Sequence, residues 1–228
     1  MRKVIVGTFV SLDGVMQAPG GPDEDPTGGF RFGGWVAPHF DGQVGAAVDD
    51  LFNGPFDLLL GRRTYDIFAA HWPYQPTDTD AVGYDPGSAK VVKAFNAATK
   101  YVATHDPGTL SWINSKALGA DAMADVAGLK RGEGPDLVVQ GSSELIHQLL
   151  KADLIDVIQL MIFPIMLGRG KRLFDESSTP AGFKLVRSVT SDNGVLVVRY
   201  ERRGEVPAGS FVTQPPSEAE LERRKRLA

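Results

Sequence analysis

Short apolar runs alternate with helical stretches over most of the chain. Apolar runs typical of buried strands are followed by segments in which apolar residues recur every three or four positions, as in amphipathic helices. The predicted strands cover residues 3–10, 56–60, 100–104, 110–113 and 137–140. The predicted helices cover residues 38–53, 89–97 and 121–130, with two more starting at residues 61 and 142. Strands that alternate with helices predict parallel strands joined by helical crossovers.

The pattern changes after residue 153, where strand-type runs dominate. Residues 154–163 form a long apolar run, residues 164–170 read as a loop, and runs at 183–190 and 195–202 flank Asn193-Gly194. Asn-Gly between alternating apolar runs is a strong hairpin signal. The fold class predicted from the whole pattern is α/β, with three layers (α/β/α) around a mixed, mostly parallel central sheet that ends in an antiparallel hairpin.

Two segments differ from this alternating pattern. Residues 17–38 are rich in glycine and form a long loop, which we expect to be a flexible lid whose Phe30, Phe32 and Trp35 close over something apolar. Residues 204–228 are expected to be an extension outside the 1–203 domain. Ser217 and Glu220 form a capping box there, which predicts a solvated helix. The alternative is that its few basic residues contact nucleic acid.

Composition narrows the classes of function. The chain has 228 residues, 43% of them hydrophobic, and a formal net charge of −4, so no basic field favours nucleic acid or an anionic membrane. It lacks cysteine, which excludes disulfides, thiol nucleophiles and cysteine-bound metals. The four histidines show no metal-ligand spacing, so no metal is expected, and His147 is predicted to lie on the surface. A cytoplasmic protein is expected.

Two predicted strands run directly into a glycine and then a helix. Gly141 is followed by Ser142 and Ser143, and Gly61 is followed by two arginines. Helix N-termini present free N–H groups and a partial positive charge, which suits phosphate. The first turn can equally be an ordinary helix cap in which the serine hydroxyls accept from the helix amides. The arginines at positions 62 and 63 are either solvated surface residues or ligands of the same anion, which favours a nucleotide with a 2′-phosphate.

Catalytic candidates are few, because the standard motifs are absent from the sequence. No G-x-G-x-x-G follows the first strand, no G-x-S-x-G elbow exists, and Gly168-Arg-Gly-Lys171 does not have P-loop spacing. Asp13 closes the first strand, where a carboxylate can orient a substrate amine or relay a proton, or can simply shape the turn before Gly14. Asp49 and Asp50 on the first helix are similar candidates, with solvent exposure as the alternative.

Four segments together resemble the dihydrofolate-reductase-like superfamily. They are Val6–Gly14, Leu59–Tyr65, Val138–Leu145 and Pro164–Phe174. Their order and spacing are most similar to the reductase domain of bacterial riboflavin biosynthesis, and the resemblance spans roughly residues 2–203. The deaminase domain of bifunctional members carries a cysteine-containing zinc motif, so only the reductase half is expected here.

The resemblance implies an NADPH-dependent reductase that passes hydride from nicotinamide to a substrate in a cleft, commonly as a homodimer. By the same resemblance, Arg62, Arg63 and Thr64, after Gly61, hold the adenosine 2′-phosphate with Thr104 and His105. It also implies that Gly141, Ser142, Ser143 and Glu144 cradle the pyrophosphate, and that Thr8 and Phe9 line the nicotinamide.

The substrate is the least determined part of the implied reaction. The riboflavin branch reduces the ribosylamino sugar of a pyrimidine phosphate, and Lys171 and Arg172 are candidates for its phosphate, with Asp50 as a further substrate contact. Asp49 and Asp50 lie a few residues beyond the folate-binding acid of dihydrofolate reductases, so folate is less expected. A dihydrofolate, pteridine, carbonyl or xenobiotic reductase and a non-catalytic NADP-binding protein remain alternatives.

Overall fold

One central sheet runs through the protein in the computed structural model, which describes residues 1–227. Its strands are β1 (Val4–Ser11), β2 (Phe56–Gly61), β3 (Lys100–Ala103), β4 (Ser115–Ala117), β5 (Asp136–Gln140), β6 (Val157–Phe163), β7 (Gly182–Thr190) and β8 (Leu196–Gly204). Their order is β4-β3-β2-β5-β1-β6-β8-β7. Neighbours from β4 to β6 pair in parallel, whereas β8 pairs antiparallel with β6 and β7. The predicted mixed sheet with a closing hairpin is therefore confirmed.

Helices cover both faces of this sheet. They are α1 (Gly42–Leu51), α2 (Arg62–His71), α3 (Pro86–Ala97), α4 (Ala122–Arg131) and α5 (Ser143–Lys151), with α6 (Glu218–Lys225) in the extension. Helices α4 and α5 pack on one face through Val126, Ile146 and Leu149. Helices α1, α2 and α3 contribute to the apolar clusters that contain Ile5 and Leu58. The three-layer α/β/α prediction is thus confirmed.

The strand predicted at residues 110–113 is wrong. Strand β4 begins at Ser115, after the predicted range, and pairs with β3, with Lys100 opposite Ser115. The apolar signal comes from Trp112, a buried loop residue whose N–H donates to the Tyr65 hydroxyl (2.8 Å) and whose indole N–H donates to Asn96 (2.7 Å). A loop residue that fills a core position has the same apolar signature as a short strand.

The glycine-rich loop at residues 17–38 is folded against the rest of the domain. Phe30, Trp35 and Val36 are buried in the cluster that also holds α1 and β6. The indole N–H of Trp35 donates to the Gln17 carbonyl (2.8 Å), which closes the loop on itself. The expected aromatic contacts exist for Phe30 and Trp35, while Phe32 is half exposed.

The segment after β8 is exposed and includes a helix where one was predicted. Ser217 accepts a hydrogen bond from the Glu220 amide (3.3 Å), and Glu220 forms ion pairs with Arg223 and Arg224. These two arginines hold the pKa of Glu220 at about 2. None of the residues of α6 is buried. The division of the chain at residue 204 stays a prediction, and Ala228 lies outside the described residues.

Candidate functional site

The two strand–glycine–helix turns lie side by side at one edge of the sheet. Strands β2 and β5 are neighbours, with Leu58 opposite Val138, so both turns follow the carboxyl ends of adjacent parallel strands. The Gly61 N–H donates to the Ser142 hydroxyl (2.9 Å), and that hydroxyl donates to Thr64 Oγ1 (2.8 Å). The two helix N-termini that were suspected separately therefore form one hydrogen-bonded unit, in the place where open α/β sheets bind ligands.

Both turn glycines pack closely against the other turn. A Cβ on Gly61 would lie 3.2 Å from the Ser142 hydroxyl, and a Cβ on Gly141 would lie 3.2 Å from Thr64 Cγ2. Gly141 also has a φ of +70°, which favours glycine, and Ser142 next to it has a φ of +62°. A non-glycine residue held in this region is strained, and such strain is concentrated at functional sites.

The helices at these turns lack the side-chain caps found elsewhere. The N-termini of α1, α3 and α4 are capped by the carboxylates of Asp41, Asp85 and Asp121. Among residues 1–227, no side chain caps α2 or α5. The prediction that the Ser142 hydroxyl caps its own helix is wrong, because that hydroxyl is turned toward Gly61 and Thr64. The first-turn amides of both helices are consequently left for an external acceptor.

Strand β1 extends past the end of β5, and we call the side of β1 beyond that point, where no strand of residues 1–227 pairs with it, the crevice beside β1. The last β1–β5 pair is Gly7 with Gln140, whereas β1 continues along β6 as far as Ser11. Thr8 and Phe9 thus lie just past the end of β5. Thr8 is buried, and Phe9 packs edge-to-face on Phe163 with ring centroids 5.8 Å apart.

Gln140 adds a polar group to this crevice. Its side-chain Oε1 is buried and has no hydrogen-bond partner within residues 1–227. A buried acceptor without a donor is costly, so Gln140 Oε1 needs a donor such as a water molecule or a ligand. Sequence reasoning missed Gln140; the available signal was a polar residue at the last position of an apolar strand, directly before the glycine turn.

The two arginines at the start of α2 point in different directions. Arg62 donates to Thr104 Oγ1 and the Asp106 carbonyl (both 3.3 Å), and its Nε pairs with Asp66 at 2.8 Å. Arg63 instead donates to Thr27 Oγ1 in the glycine-rich loop (3.1 Å). The structure therefore brings Arg62 and Thr104 together, as predicted for one anion site, and places the Arg63 guanidinium against the loop.

Asp13 is surrounded by donors from its own turn and from the segment that follows β6. Its carboxylate accepts from the Ser11 hydroxyl (2.6 Å) and from the Leu167 and Gly168 amides (3.1 and 2.8 Å), and it pairs with Arg172 at 3.3 Å. Burial alone would raise the pKa of Asp13, but these hydrogen bonds outweigh it and hold the pKa at about 2. A carboxylate that stays ionised and fully bonded favours the turn role over proton relay.

The cations proposed for the substrate also have carboxylate partners. Lys171 pairs with the buried Asp25, and Arg172 pairs with Asp13 and donates to the Gly168 carbonyl (3.1 Å). Asp50 pairs with Arg187 of β7 on the surface. The geometry does not bring Asp50 together with the crevice beside β1.

The remaining predicted site residues differ in how far they are exposed to solvent. Ser143 is partly buried at the start of α5, while Glu144 and His105 are exposed. Glu144 is in the first turn of α5, where its charge suits the helix dipole. The prediction that His147 is a surface residue is wrong: its side chain is only 14% exposed, and its Nε2 contacts the Leu173 carbonyl at 2.8 Å.

Two further findings concern classes of site. Within residues 1–227, no cluster of three or more histidine, aspartate or glutamate side chains is arranged to hold a metal ion. In the same part of the chain, no helix has the length and apolar character needed to span a bilayer.

Comparison with known proteins gives relatives over nearly the whole chain. The Bacillus subtilis (strain 168) protein YyaP is 26% identical over 210 residues, which cover 89% of this chain and 96% of YyaP. The solved Thermotoga maritima diaminohydroxyphosphoribosylaminopyrimidine deaminase/5-amino-6-(5-phosphoribosylamino)uracil reductase is 17% identical with a TM-score of 0.54, covering 89% of this chain and 57% of that one.

A third match is to a dihydrofolate reductase. The Enterococcus faecalis enzyme, complexed with NADP(H) and RAB-propyl, is 14% identical with a TM-score of 0.51, covering 88% of this chain and 96% of that one. At these identities the two solved structures show a shared fold. The fold is thus of the dihydrofolate-reductase type, as the sequence resemblance implied. The model of the RibD C-terminal domain matches residues 2–197, and the chain therefore belongs to the RibD C-terminal domain family.

Proposed function

We propose that this chain is an NADPH-dependent reductase that transfers hydride to a small heterocyclic substrate of the 5-amino-6-(5-phosphoribosylamino)uracil type. Membership of the RibD C-terminal domain family supports a reductase. The observation that carries the cofactor is the pair of uncapped helix N-termini joined through Gly61, Ser142 and Thr64. That pair supplies N–H donors that no side chain within residues 1–227 caps.

The residues present fit a phosphorylated dinucleotide. The uncapped amides at the starts of α2 and α5 would hold the pyrophosphate. Arg62, steadied by Asp66 and Thr104, would bind the 2′-phosphate, because a guanidinium fork matches phosphate oxygens. His105 next to Thr104 is exposed and free to approach the same group.

The crevice beside β1 fits the other end of the dinucleotide. Thr8 and Phe9 would line the nicotinamide, and the unpartnered Gln140 Oε1 would accept a hydrogen bond from it. When bound, the nicotinamide supplies the hydride. The residues of this chain would orient the reactants, and Phe9, which packs on the buried Phe163 beside Trp35, would give this end of the site an apolar surface. Asp13, with a pKa of about 2, does not supply a proton near neutral pH.

The substrate class rests on the family and on the named activity of the Thermotoga relative. In this proposal Lys171 and Arg172 remain the candidates that bind the substrate phosphate. Lys171 would at the same time keep its ion pair with Asp25, and Arg172 its ion pair with Asp13. Lys171 and Arg172 both belong to the segment that follows β6, whose carboxyl end adjoins that of β1. Their charges therefore lie at the same edge as the cofactor turns.

A homodimer in the cytoplasm belongs to the same proposal. The edge strand β7 exposes Leu185 and Val186, at 48% and 43%, beside an edge without a pairing strand in the described chain. An exposed edge with apolar side chains is a surface that a second copy would cover. Light scattering after size-exclusion chromatography should give twice the mass of one chain for the wild-type protein. The Leu185→Lys variant should give the mass of a single chain.

The cofactor proposal is tested by titrating the protein with NADPH and with NADH while nicotinamide fluorescence is followed. We expect NADPH to bind at least about tenfold more tightly, and Arg62→Ala to remove most of that preference, because the lost contact is to the 2′-phosphate. Lys93→Ala, which removes an exposed cation from α3, is the matched control and should change neither affinity. If neither NADPH nor NADH binds, the proposed cofactor is wrong.

The reaction is tested separately by NADPH consumption. The pyrimidine ribosylamino phosphate should be reduced, whereas dihydrofolate and a carbonyl panel should not. If dihydrofolate is reduced and the other substrates are not, the enzyme is a pteridine reductase. Binding of NADPH without turnover of any of these substrates would favour a non-catalytic NADP-binding protein.

A further inference from the structure

The glycine-rich loop is held by a network that begins at Gln17. The buried side-chain amide of Gln17 donates to the Asp25 and Thr27 carbonyls (both 2.9 Å), and its Oε1 accepts from the Lys171 amide (3.0 Å). One side chain thus fixes the middle of the loop and ties it to the segment after β6. Residues 25–27 are consequently placed by tertiary contacts and not by the local sequence alone.

The Asp25 carboxylate is the charged centre of this network. It is buried, pairs with Lys171 and accepts from Thr27 through both the hydroxyl (2.5 Å) and the amide (3.2 Å). Burial raises the pKa of Asp25, but the hydrogen bonds from Lys171 and Thr27 and the charge of Lys171 outweigh it and lower the pKa. Asp25 is therefore ionised at neutral pH, and its negative charge faces the start of α2.

Arg63 of α2 completes the network from the cofactor side. Its Nη1 lies 3.1 Å from Thr27 Oγ1 and 3.8 Å from Asp25 Oδ2. The side chain is 58% exposed, and the hydrogen bonds found within residues 1–227 use only Nη1. A guanidinium carries five N–H donors, so the donors on Nε and Nη2 remain for a ligand. Two cations around one carboxylate also leave a surplus positive charge, which suits an anion.

We propose that Asp25 and Thr27 are positioning residues that hold Arg63 for the anionic part of the ligand at the start of α2. Arg63 then contacts the glycine-rich loop and the anion at the same time. Anion binding and closure of residues 17–38 are linked through this one side chain, and such linkage is reciprocal. The inference rests on the proposed function for the identity of the anion, the phosphates of NADPH, and adds two residues that no motif of the chain identifies.

The first test measures affinity. Asp25→Asn and Thr27→Val should each weaken NADPH binding about fivefold, the lower end of typical coupling between linked sites. Asp23→Asn makes the same charge change two residues away, at an exposed position in the same loop, and should leave affinity unchanged. Thr27→Val keeps the Asp25–Lys171 pair, so it remains informative if Asp25→Asn disturbs the loop. Unchanged affinity in Thr27→Val and in a folded Asp25→Asn would overturn the proposal.

A double-mutant cycle separates positioning from general loop stability. If Asp25 acts through Arg63, then adding Asp25→Asn to Arg63→Ala should cost no further affinity, because the residue being positioned is already gone. Additive losses in the double variant would contradict the inference. Arg63→Lys, which keeps the charge but loses the fork, should recover only part of the affinity.

Hydrogen–deuterium exchange tests the link from the loop side. NADPH should slow exchange of residues 17–38 in the wild-type protein and do so less in Thr27→Val. In the absence of nucleotide, Arg63→Ala should speed exchange of that loop. Arg62→Ala should not, because Arg62 contacts Asp66, Thr104, Asp106 and Thr109 and none of these lies in the loop. If neither NADPH nor NADH binds, the proposed function fails, and this nucleotide-free comparison still decides the link: unchanged exchange in Arg63→Ala would refute it.

Discussion

Two kinds of turn occur where the chain leaves a strand or enters a helix. In the first kind a carboxylate of the chain accepts backbone amides. Asp41, Asp85 and Asp121 do so at the starts of α1, α3 and α4, and Asp13 after β1 accepts the Leu167 and Gly168 amides of the segment after β6. In the second kind, after β2 and β5, no side chain within residues 1–227 caps the helix. The two kinds present the same backbone donors, but only the second leaves them for another molecule.

This difference separates the turns that stabilise the fold from the turns that are able to bind a ligand. A carboxylate at a turn satisfies the local amides and stabilises the element, whereas a turn that omits it keeps donors and a positive helix end for an external anion. At the uncapped turns, Ser142 has a strained backbone conformation and Gly141 packs closely on Thr64. We therefore expect the uncapped turns to be less stable than the capped ones. Stability and binding should therefore respond differently to changes in the two kinds of turn.

Gly141→Ala should give the largest combined effect. Alanine at a φ of +70° costs about 1–2 kcal/mol, and its Cβ would also push Thr64 at 3.2 Å, which should weaken NADPH binding at least about tenfold. Gly83→Ala is the matched control, because Gly83 has a φ of +81° in an exposed loop with no atom near its added Cβ. Thermal unfolding should shift in both variants, but nucleotide titration should change only for Gly141. Equal affinity in both would break the comparison.

Removal of the Asp13 carboxylate should affect stability and its dependence on pH. The pKa of Asp13 is lowered to about 2, so this group stabilises the fold fully above its ordinary value of 3.8, and the contribution is lost as pH falls toward 2. The expected contribution is about 2 kcal/mol. Chemical denaturation at pH 7 and at pH 2.5 should show a large difference between wild type and Asp13→Asn at pH 7 and a smaller one at pH 2.5. A constant difference would assign the effect to something other than the charge.

Asp121→Ala should give the smallest effect and should be confined to stability. Loss of the bond from the Asp121 carboxylate to the Ala124 amide (2.9 Å) should cost about 1 kcal/mol of unfolding free energy, as N-cap removals typically do. NADPH affinity should stay the same, since the Asp121 carboxylate bonds to an amide of its own helix start. Asp121→Asn, which keeps the cap, should restore stability. A change in nucleotide affinity would show that the two kinds of turn are not independent.

The order and type of nearly all elements follow from local patterns. Apolar runs marked β1, β2, β3, β5 and β6, the Asn193-Gly194 signal marked the β7–β8 hairpin, and Ser217 marked the start of α6. Each of these signals is local, because side-chain periodicity, turn chemistry and capping act over a few residues. The glycines at positions 61 and 141 were identified for the same reason, since a strand that passes directly into a helix requires a tight turn.

Long-range contacts decided what local patterns could not. The strand prediction around Trp112 is wrong because the local sequence does not show that Trp112 is a buried loop residue bonded to Tyr65 and Asn96. Lys100 lies in β3, yet its buried ammonium donates to the Phe95 and Ala98 carbonyls at the end of α3, and burial lowers its pKa to about 8. No periodicity reports such a contact, because it depends on how one element packs on another.

The sequence by itself determined that this protein has a mixed α/β sheet of the dihydrofolate-reductase type with two glycine turns suited to phosphate. Only the tertiary structure showed that Ser142 joins these turns and that Arg62 and Arg63 diverge. It also showed that Asp25 lies beside the Arg63 guanidinium and that Asp13 is hydrogen-bonded to the segment after β6. The physical reason is that hydrogen bonds and ion pairs between residues 36 to 155 positions apart are fixed by strand order and register, which no local signal encodes.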